Sequence, residues 1–299
     1  MLNGLETVLA GLRGEARRNE PMARHTSLKV GGPVALYLEP ADLADLQNAL
    51  AVLRKEQIPY FVVGGGYNLL VRDGGFRGCA ISLKRLDQLL LLPGQRLEVG
   101  AGVSNARLCK TAAESALSGI EFLVGIPGSF GGALTMNAGA HGGETLKRVE
   151  SLVTVRSGKV LSRTSDELDF GYRHLTLEPG EVVVAATLQL AEGERSSVET
   201  TMKDFLAHRG GAQKVGFPNA GSFFKNPPRQ QAWQLIDQAG LRGYQVGGAQ
   251  VSEVHTNFLV NRGGASAGDF LKLAALIKEK VLAVSGAELQ EEVRIVGED

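Results

Sequence analysis

A chain of 299 residues, 43% hydrophobic and 21% charged, is long enough for about two domains and a sizeable buried core. Its 32 basic side chains are balanced by 32 acidic ones, which excludes a global field drawing it to nucleic acid or anionic lipid. No stretch approaches the ~20 apolar residues that span a bilayer. Cys79 and Cys109 have neither CxxC spacing nor a histidine cluster beside them, so a zinc site or disulfide framework is disfavoured and two buried apolar thiols are expected. The amino end carries Glu6 inside its only apolar stretch and has no basic start, so it does not read as a signal peptide, and the cytoplasm is the expected compartment.

In chain order, Leu2, Leu5, Val8, Leu9 and Leu12 share one face of an amphipathic helix with Asn3 and Glu6 as its cap. A second helix follows "EPAD", with Leu43, Leu46, Leu50 and Leu53 at helical spacing. "IPYFVV" then switches to strand composition, giving a βαβ-like opening. Short apolar runs occupy Cys79 to Leu92 and Arg96 to Val99, followed by a helix from about Ser104 to Ser118 that Gly119 stops. Strands return at "SLVTVRS", "KVLSR" and "EVVVAATLQLA", the last alternating as if one face were wet. After a break near "AEGERSS" come helices at about Val198 to His208, Gln230 to Ala239 and Asp269 to Val284. Strands at Val246 to Val251 and Phe258 to Val260 lie between them, and "EVRIV" is the final strand.

The 39 glycines concentrate in loops, and three of these loops invite comparison with phosphate cradles. "GGGYNLLV", residues 64–71, has no Walker A pattern, and Leu69 stands where a G-x-G-x-x-G motif needs its third glycine. "LEVGAGVSNARL" places Gly100 and Gly102 in register, but Asn105 occupies the position that needs a small residue, so it reads as a tight strand-to-helix turn. "GIPGSFGGALTMNAGAHGGE", residues 125–144, is too long and glycine-rich for a turn, and backbone amides in such a nest can surround an anion or lie flat against a planar ring.

The first and third of these loops, together with "HTSLKVGG" (25–32), "GYR" (171–173), "PNAGSFFKNP" (218–227), "GGAQVSEVHTNFLVN" (247–261) and "EEVRIVG" (291–297), closely resemble the bacterial UDP-N-acetylenolpyruvoylglucosamine reductases over nearly the whole chain. The resemblance implies an α+β fold: a two-lobed FAD-binding unit of the vanillyl-alcohol oxidase type (lobes 1–78 and 79–196) and an α+β substrate-binding domain (197–299). The final strand, about 290–297, is expected to return to the first lobe. It implies non-covalent FAD, NADPH as co-substrate, and reduction of the enolpyruvyl group of a UDP-sugar to UDP-N-acetylmuramate for peptidoglycan. The cofactor loops would supply Gly64, Gly65, Gly66, Tyr67, Asn68 and Leu69, then Gly125, Ile126, Pro127, Gly128, Ser129, Gly132 and Asn137.

Hydride addition to an enolpyruvyl double bond leaves charge that spreads into the carboxylate, and a proton must follow, so cations and an acid are required. Arg173 in "GYR" matches the arginine that polarises the substrate carboxylate, where a planar guanidinium suits two oxygens. Glu292 matches the carboxyl group that helps stabilise the enol, and the spacing to Val293 and Arg294 favours it over Glu291. Ser222 in "NAGSFFKN" matches the general acid. Tyr172, Lys225, Asn226, His255 and Asn257 extend the match to substrate contacts.

Two departures from the family stand out. Tyr67 replaces its usual serine, and the short interval from Arg173 to Ser222 has no room for a tyrosine-bearing insertion that caps the substrate in one subclass, so the chain resembles the subclass lacking that loop. Alternatives of another kind are a flavin oxidase on the same scaffold and a non-catalytic flavin or sugar-nucleotide binding module.

Overall fold

The computed structural model describes residues 2–213 and 215–299. The chain packs into two compact units, one formed by Met1–Arg18, Leu36–Gly64 and Gly78–Arg209, the other by Asn19–Ala35, Gly65–Arg77 and Gly210–Asp299. The first unit holds the helices α1 (Leu2–Gly11), α2 (Leu43–Lys55), α3 (Asn105–Glu114) and α4 (Phe130–Thr135) and most of α5 (Arg195–Gln213). α1 buries Leu5 and Val8, while the Asn3 side chain expected to cap it lies outside the described residues. α2 starts where Asp42 accepts the Asp45 N–H, and it buries Leu46, Leu50 and Leu53.

Two sheets follow. Tyr60–Val63 runs parallel to Cys79–Ser82 in a four-stranded sheet ordered Glu15–Pro21, Pro33–Glu39, Phe76–Ser82, Tyr60–Val63. A second, antiparallel sheet is ordered Lys159–Thr164, Val149–Arg156, Glu181–Gln189, Arg96–Gly100, Leu89–Leu92. Its inner face packs Leu97, Val99, Leu152, Ala186 and Leu188 against Leu108, Leu123, Phe130 and Leu134. Cys79 and Cys109 are buried free thiols, and burial pushes each up to about 12.

In the second unit, an antiparallel sheet ordered Asn219–Ser222, Phe258–Asn261, Ala249–Val251, Gln245–Val246 packs with α6 (Ala232–Gln238) and α7 (Ala267–Ser285). Phe223, Phe224 and Phe270 fill the core there. Ser266 and Asp269 make a reciprocal capping box for α7, and Asp73 accepts the N–H groups of Ala267 and Gly268. Arg294–Val296 pairs in parallel with Leu69–Val71.

Several elements differ from the sequence reading. Glu15–Pro21 and Pro33–Glu39 are strands that the pattern did not announce, because "EARRNEP" carries no apolar alternation. α3 stops at Glu114 rather than near Ser118. Ala116 takes a left-handed φ of 52°, and Leu117–Ser118 leaves the helix to pair with Ala191–Glu192. The expected strand Val246 to Val251 is a hairpin turning at Gly247, φ 53°. Glu181–Gln189 alternates as expected only in its second half, where Ala185, Thr187 and Gln189 are the more open side; in the first half Val182, Val183 and Val184 are all buried, with Val183 part of the core cluster. Among the described residues no helix is long and apolar enough to cross a membrane.

Candidate functional site

In the first unit the strand Tyr60–Val63 ends at Gly64, and a Cβ there would collide with Ser129 Oγ. The first glycine loop and the long third one therefore meet backbone to side chain. Ser129 begins α4, its hydroxyl accepting the Gly132 N–H at 3.4 Å. The residues before it are held from below by Asn105: its N–H donates to the Gly128 carbonyl at 3.1 Å and its Nδ2 to the Ile126 carbonyl at 3.0 Å. Gly125 closes a short 3-10 turn, Pro127 follows Ile126, and Gly128 takes φ 122°. Asn105 thus has a supporting role that sequence reasoning missed. Its only sequence signal was being the wrong residue for a dinucleotide fingerprint. Gly100 and Gly102 are explained by packing, since a Cβ on either would run into the backbone carbonyls of Leu86 and Leu83.

Further along the same loop, Asn137 is 1% exposed and adopts φ 38°. Its Oδ1 accepts the Leu146 N–H at 3.0 Å, and its Nδ2 donates to Glu144 at 3.0 Å and to the Gly171 carbonyl at 2.9 Å. Gly171 opens a two-residue turn, Tyr172 and Arg173, between the paired residues Phe170–Gly171 and His174–Leu175. Arg173 sits in the left-handed region at φ 57°, its Nη2 donates to the Gly139 carbonyl at 3.1 Å, and its guanidinium carbon lies 5.2 Å from the centre of the exposed Tyr172 ring. Lys147 holds the Glu144 carboxyl below the usual carboxylate range, with further help from Asn137 and the nearby charge of Arg173. The turn thus presents a planar cation next to an aromatic ring, on a base tied down by one buried amide.

The second unit carries the rest of the first loop. Gly66, φ 68°, is buried, and a Cβ there would strike the His25 carbonyl. Its own carbonyl accepts from the backbone and the hydroxyl of Ser27. Positive φ therefore belongs to Gly66, not to Gly65, which is exposed. Tyr67 is 44% exposed, while Leu69 points into the core. Asn68 Nδ2 donates to the Glu292 carbonyl at 3.1 Å, and the Asn68 carbonyl accepts the Arg294 N–H at 3.1 Å.

Ser222 follows Gly221, φ 72°, in a strand bulged between Asn219 and Ser222. The Gly221 N–H donates to Asn219 Oδ1 at 3.0 Å, fixing the bend. One residue on, the Phe223 N–H donates to the Asn257 carbonyl and the Phe223 carbonyl accepts the Glu292 N–H, both at 2.8 Å. Ser222, Asn257 and Glu292 are thus brought together through a single residue's backbone. Asn257 is 2% exposed and uses its amide on Phe224, accepting from the N–H at 3.0 Å and donating to the carbonyl at 2.8 Å. The neighbouring Glu291 forms an ion pair with Lys278 at 3.1 Å. Asn226 Oδ1 accepts the Ala232 N–H at the start of α6, and the Lys225 side chain is half-buried. His255 packs 4.6 Å from the Phe258 ring centre. Burial lowers its pKa, and its Nδ1 has no protein hydrogen-bond partner among the described residues.

Comparisons with known proteins agree with one another. Residues 34–162 match the FAD binding domain family, and residues 213–296 match the C-terminal domain of UDP-N-acetylenolpyruvoylglucosamine reductase. The UDP-N-acetylenolpyruvoylglucosamine reductase of Geotalea uraniireducens is 59% identical over 98% of this chain and 97% of its own length. That of Geobacter metallireducens is 58% identical over 97% of each. A crystal structure of the Thermus caldophilus enzyme, 35% identical, superposes with a TM-score of 0.81 over 95% of this chain and 99% of its own. With identity this high across both units, the chain belongs to the UDP-N-acetylenolpyruvoylglucosamine reductase family.

Proposed function

We propose that the protein reduces the enolpyruvyl group of UDP-N-acetylenolpyruvoylglucosamine to UDP-N-acetylmuramate, with NADPH as reductant and non-covalent FAD as cofactor, in the making of peptidoglycan precursors. The observation that carries this reading is the 59% identity to a reductase of that name over 98% of the chain. The residues present suit FAD. Gly64 and Gly65 expose bare backbone, Ser129 stands where a side chain on Gly64 would be, and the loop Gly125–Gly132 is rigidly supported from Asn105. Gly64, Gly65, Tyr67, Asn68, Gly125, Ile126, Pro127, Gly128, Ser129 and Gly132 would hold it, with Leu69 and Gly66 contributing backbone only. When bound, FAD supplies the relay that takes hydride from NADPH and gives it to the alkene carbon.

This chain's own residues do the rest. Arg173 offers its planar guanidinium to the substrate carboxylate, so negative charge that builds up there during reduction meets a fixed cation. The Glu292 carboxyl group stabilises the enol form, and Ser222 delivers the proton to the adjacent carbon, its backbone placed by the Gly221 bend. Tyr172, Lys225, Asn226 and His255 orient the diphosphate and sugar. Asn137 and Asn257 act one step back, positioning the turn of Arg173 and the strand of Ser222.

As a functional division we propose lobes 1–78 and 79–196 and a substrate domain 197–299, which differs from the two packing units in that 19–35 and 65–77 pack with 210–299 and 197–209 with the first unit. We assign the chain to the subclass without the tyrosine-bearing cap: the interval from Arg173 to Ser222 is taken up by strands and α5. The test is Ser222→Ala in stopped flow. NADPH should bleach the flavin at a near-normal rate, while reoxidation by the enolpyruvyl sugar should slow by about 10²- to 10⁴-fold. Equal slowing of both half-reactions would remove Ser222 as the acid, and rapid reoxidation by air in place of the sugar would mark an oxidase instead.

A further inference from the structure

The residues 139–144 form a hairpin only two pairs long, Gly143 opposite Ala140 and Glu144 opposite Gly139. A ribbon this short has little stability of its own. Its base is well held: Gly143 packs so closely on the Phe122 ring that a Cβ would overlap it, and Glu144 accepts from Asn137 and Lys147. The tip, His141 and Gly142, is exposed, with both residues in the left-handed region at φ 51° and 81°. What the tip meets is α5. The His141 and Phe205 rings stack with centroids 4.0 Å apart and 3° between their planes. His208, one helical turn further on, meets the same imidazole edge-on at 5.4 Å.

The hairpin matters because of what hangs from it. The Gly139 carbonyl takes the Arg173 guanidinium, and Glu144, paired with Gly139, shares Asn137 with the base of the Arg173 turn. A long arginine side chain without such an anchor spreads over many rotamers. We infer that Phe205 is a positioning residue for the reaction: by stacking on His141 it fixes the tip of the hairpin 139–144, and through the Gly139 carbonyl it fixes the direction of the Arg173 guanidinium. This inference rests on the reading of Arg173 given above. If the tip is released, the fraction of molecules with Arg173 in the competent direction falls, and the step that needs the guanidinium slows in proportion.

The experiment compares His141→Ala, Phe205→Ala, their combination, Phe205→Tyr and Arg173→Ala, each loaded with FAD. Because His141 is exposed, its alanine variant keeps the fold even if Phe205→Ala, half-buried against the core, does not. His141→Ala and Phe205→Ala should each slow flavin reoxidation by the enolpyruvyl sugar about two- to tenfold, the range of one aromatic pair, and Arg173→Ala should abolish it. Bleaching by NADPH and FAD content should stay at wild-type level. The double variant should be no worse than either single one, since both remove the same contact, and Phe205→Tyr should restore the rate. Wild-type reoxidation in His141→Ala beside an inactive Arg173→Ala overturns the inference and leaves the reading of Arg173 standing. A wild-type Arg173→Ala overturns that reading, and the inference with it. Additive losses in the double variant also overturn the inference, because they mean two unrelated structural roles.

Discussion

Replacing Asn137 by alanine should cost the fold on the order of 4 kcal/mol, which is large for one polar residue. The substitution strands the buried Leu146 N–H, a cost of about 1–3 kcal/mol, and removes a hydrogen bond from the half-buried Gly171 carbonyl, a further ~0.5–1.5 kcal/mol. It also asks alanine to hold φ 38°, a left-handed conformation that costs roughly 1 kcal/mol more. Glu144 keeps Lys147, so little is lost there. At about 2–4 °C per kcal/mol for a chain of this size, thermal melting should fall by roughly 8–16 °C. Asn137→Asp makes the argument sharper. The acceptor for Leu146 survives, but the donor disappears and a second carboxylate stands beside Glu144. Burial and that neighbour would raise the pKa of the introduced carboxyl above the ordinary carboxylate range. A raised folded-state value means the variant is least impaired below about pH 4, where the group is protonated in the folded and unfolded chains alike, and loses stability as pH rises through the folded value. Melting followed by near-ultraviolet circular dichroism, as a difference from wild type at each pH, reads both effects. An alanine variant melting within about 2 °C of wild type, less than 1 kcal/mol would shift it, or an aspartate variant whose deficit does not grow with pH, would refute the reasoning.

Gly66→Ala should destabilise the protein even without FAD, since the new methyl meets a backbone carbonyl at positive φ, whereas Gly65→Ala should leave melting unchanged and weaken FAD binding in a fluorescence titration. The opposite pattern would reverse the roles assigned to these two glycines. Glu291→Gln, which gives up only a partly exposed ion pair with Lys278, should cost under ~1 kcal/mol and spare turnover, while Glu292→Gln should lower turnover at least ~100-fold. Equal turnover in the two variants would take Glu292 out of the mechanism. Burial alone would raise the Glu181 carboxyl, but hydrogen bonds from Arg163, Thr154 and the Glu178 N–H bring it below the usual range. Its stabilisation is therefore complete above the unfolded value of about 4.3 and is lost as pH falls through the lower folded one, so the stability gap between wild type and Glu181→Gln should narrow in acid. A gap that stays constant from about pH 7 to about pH 3 would contradict this.

Local patterns in the sequence determined a good deal about this protein. α2 and α7 were legible because apolar spacing and capping side chains lie within a turn or two of the residues they organise. Two unusual glycine loops, and the strings that hold Arg173, Ser222 and Glu292, were visible for the same reason: each is a run of consecutive residues. What the side chains in those runs face was not visible. "GGG" reads alike at all three positions, yet Gly64 lies against Ser129 and Gly66 against the carbonyl of His25, partners 65 residues ahead and 41 behind. Asn137 and Asn257 sit in motifs rich in candidate contacts, and the structure turns both amides inward, onto Leu146 and Gly171 in one case and Phe224 in the other. Spacing to Val293 and Arg294 singled out Glu292 in the sequence, but that its neighbour Glu291 pairs with a lysine on α7 was not legible there. The strand Glu15–Pro21 shows the same limit from the other side, since its charged sequence pairs only because a neighbouring strand presents an edge. Propensity, capping and periodicity act over a few residues, so the sequence carries them openly. The partner of a polar group or of a bare glycine is chosen by long-range packing, and only the tertiary structure decides it.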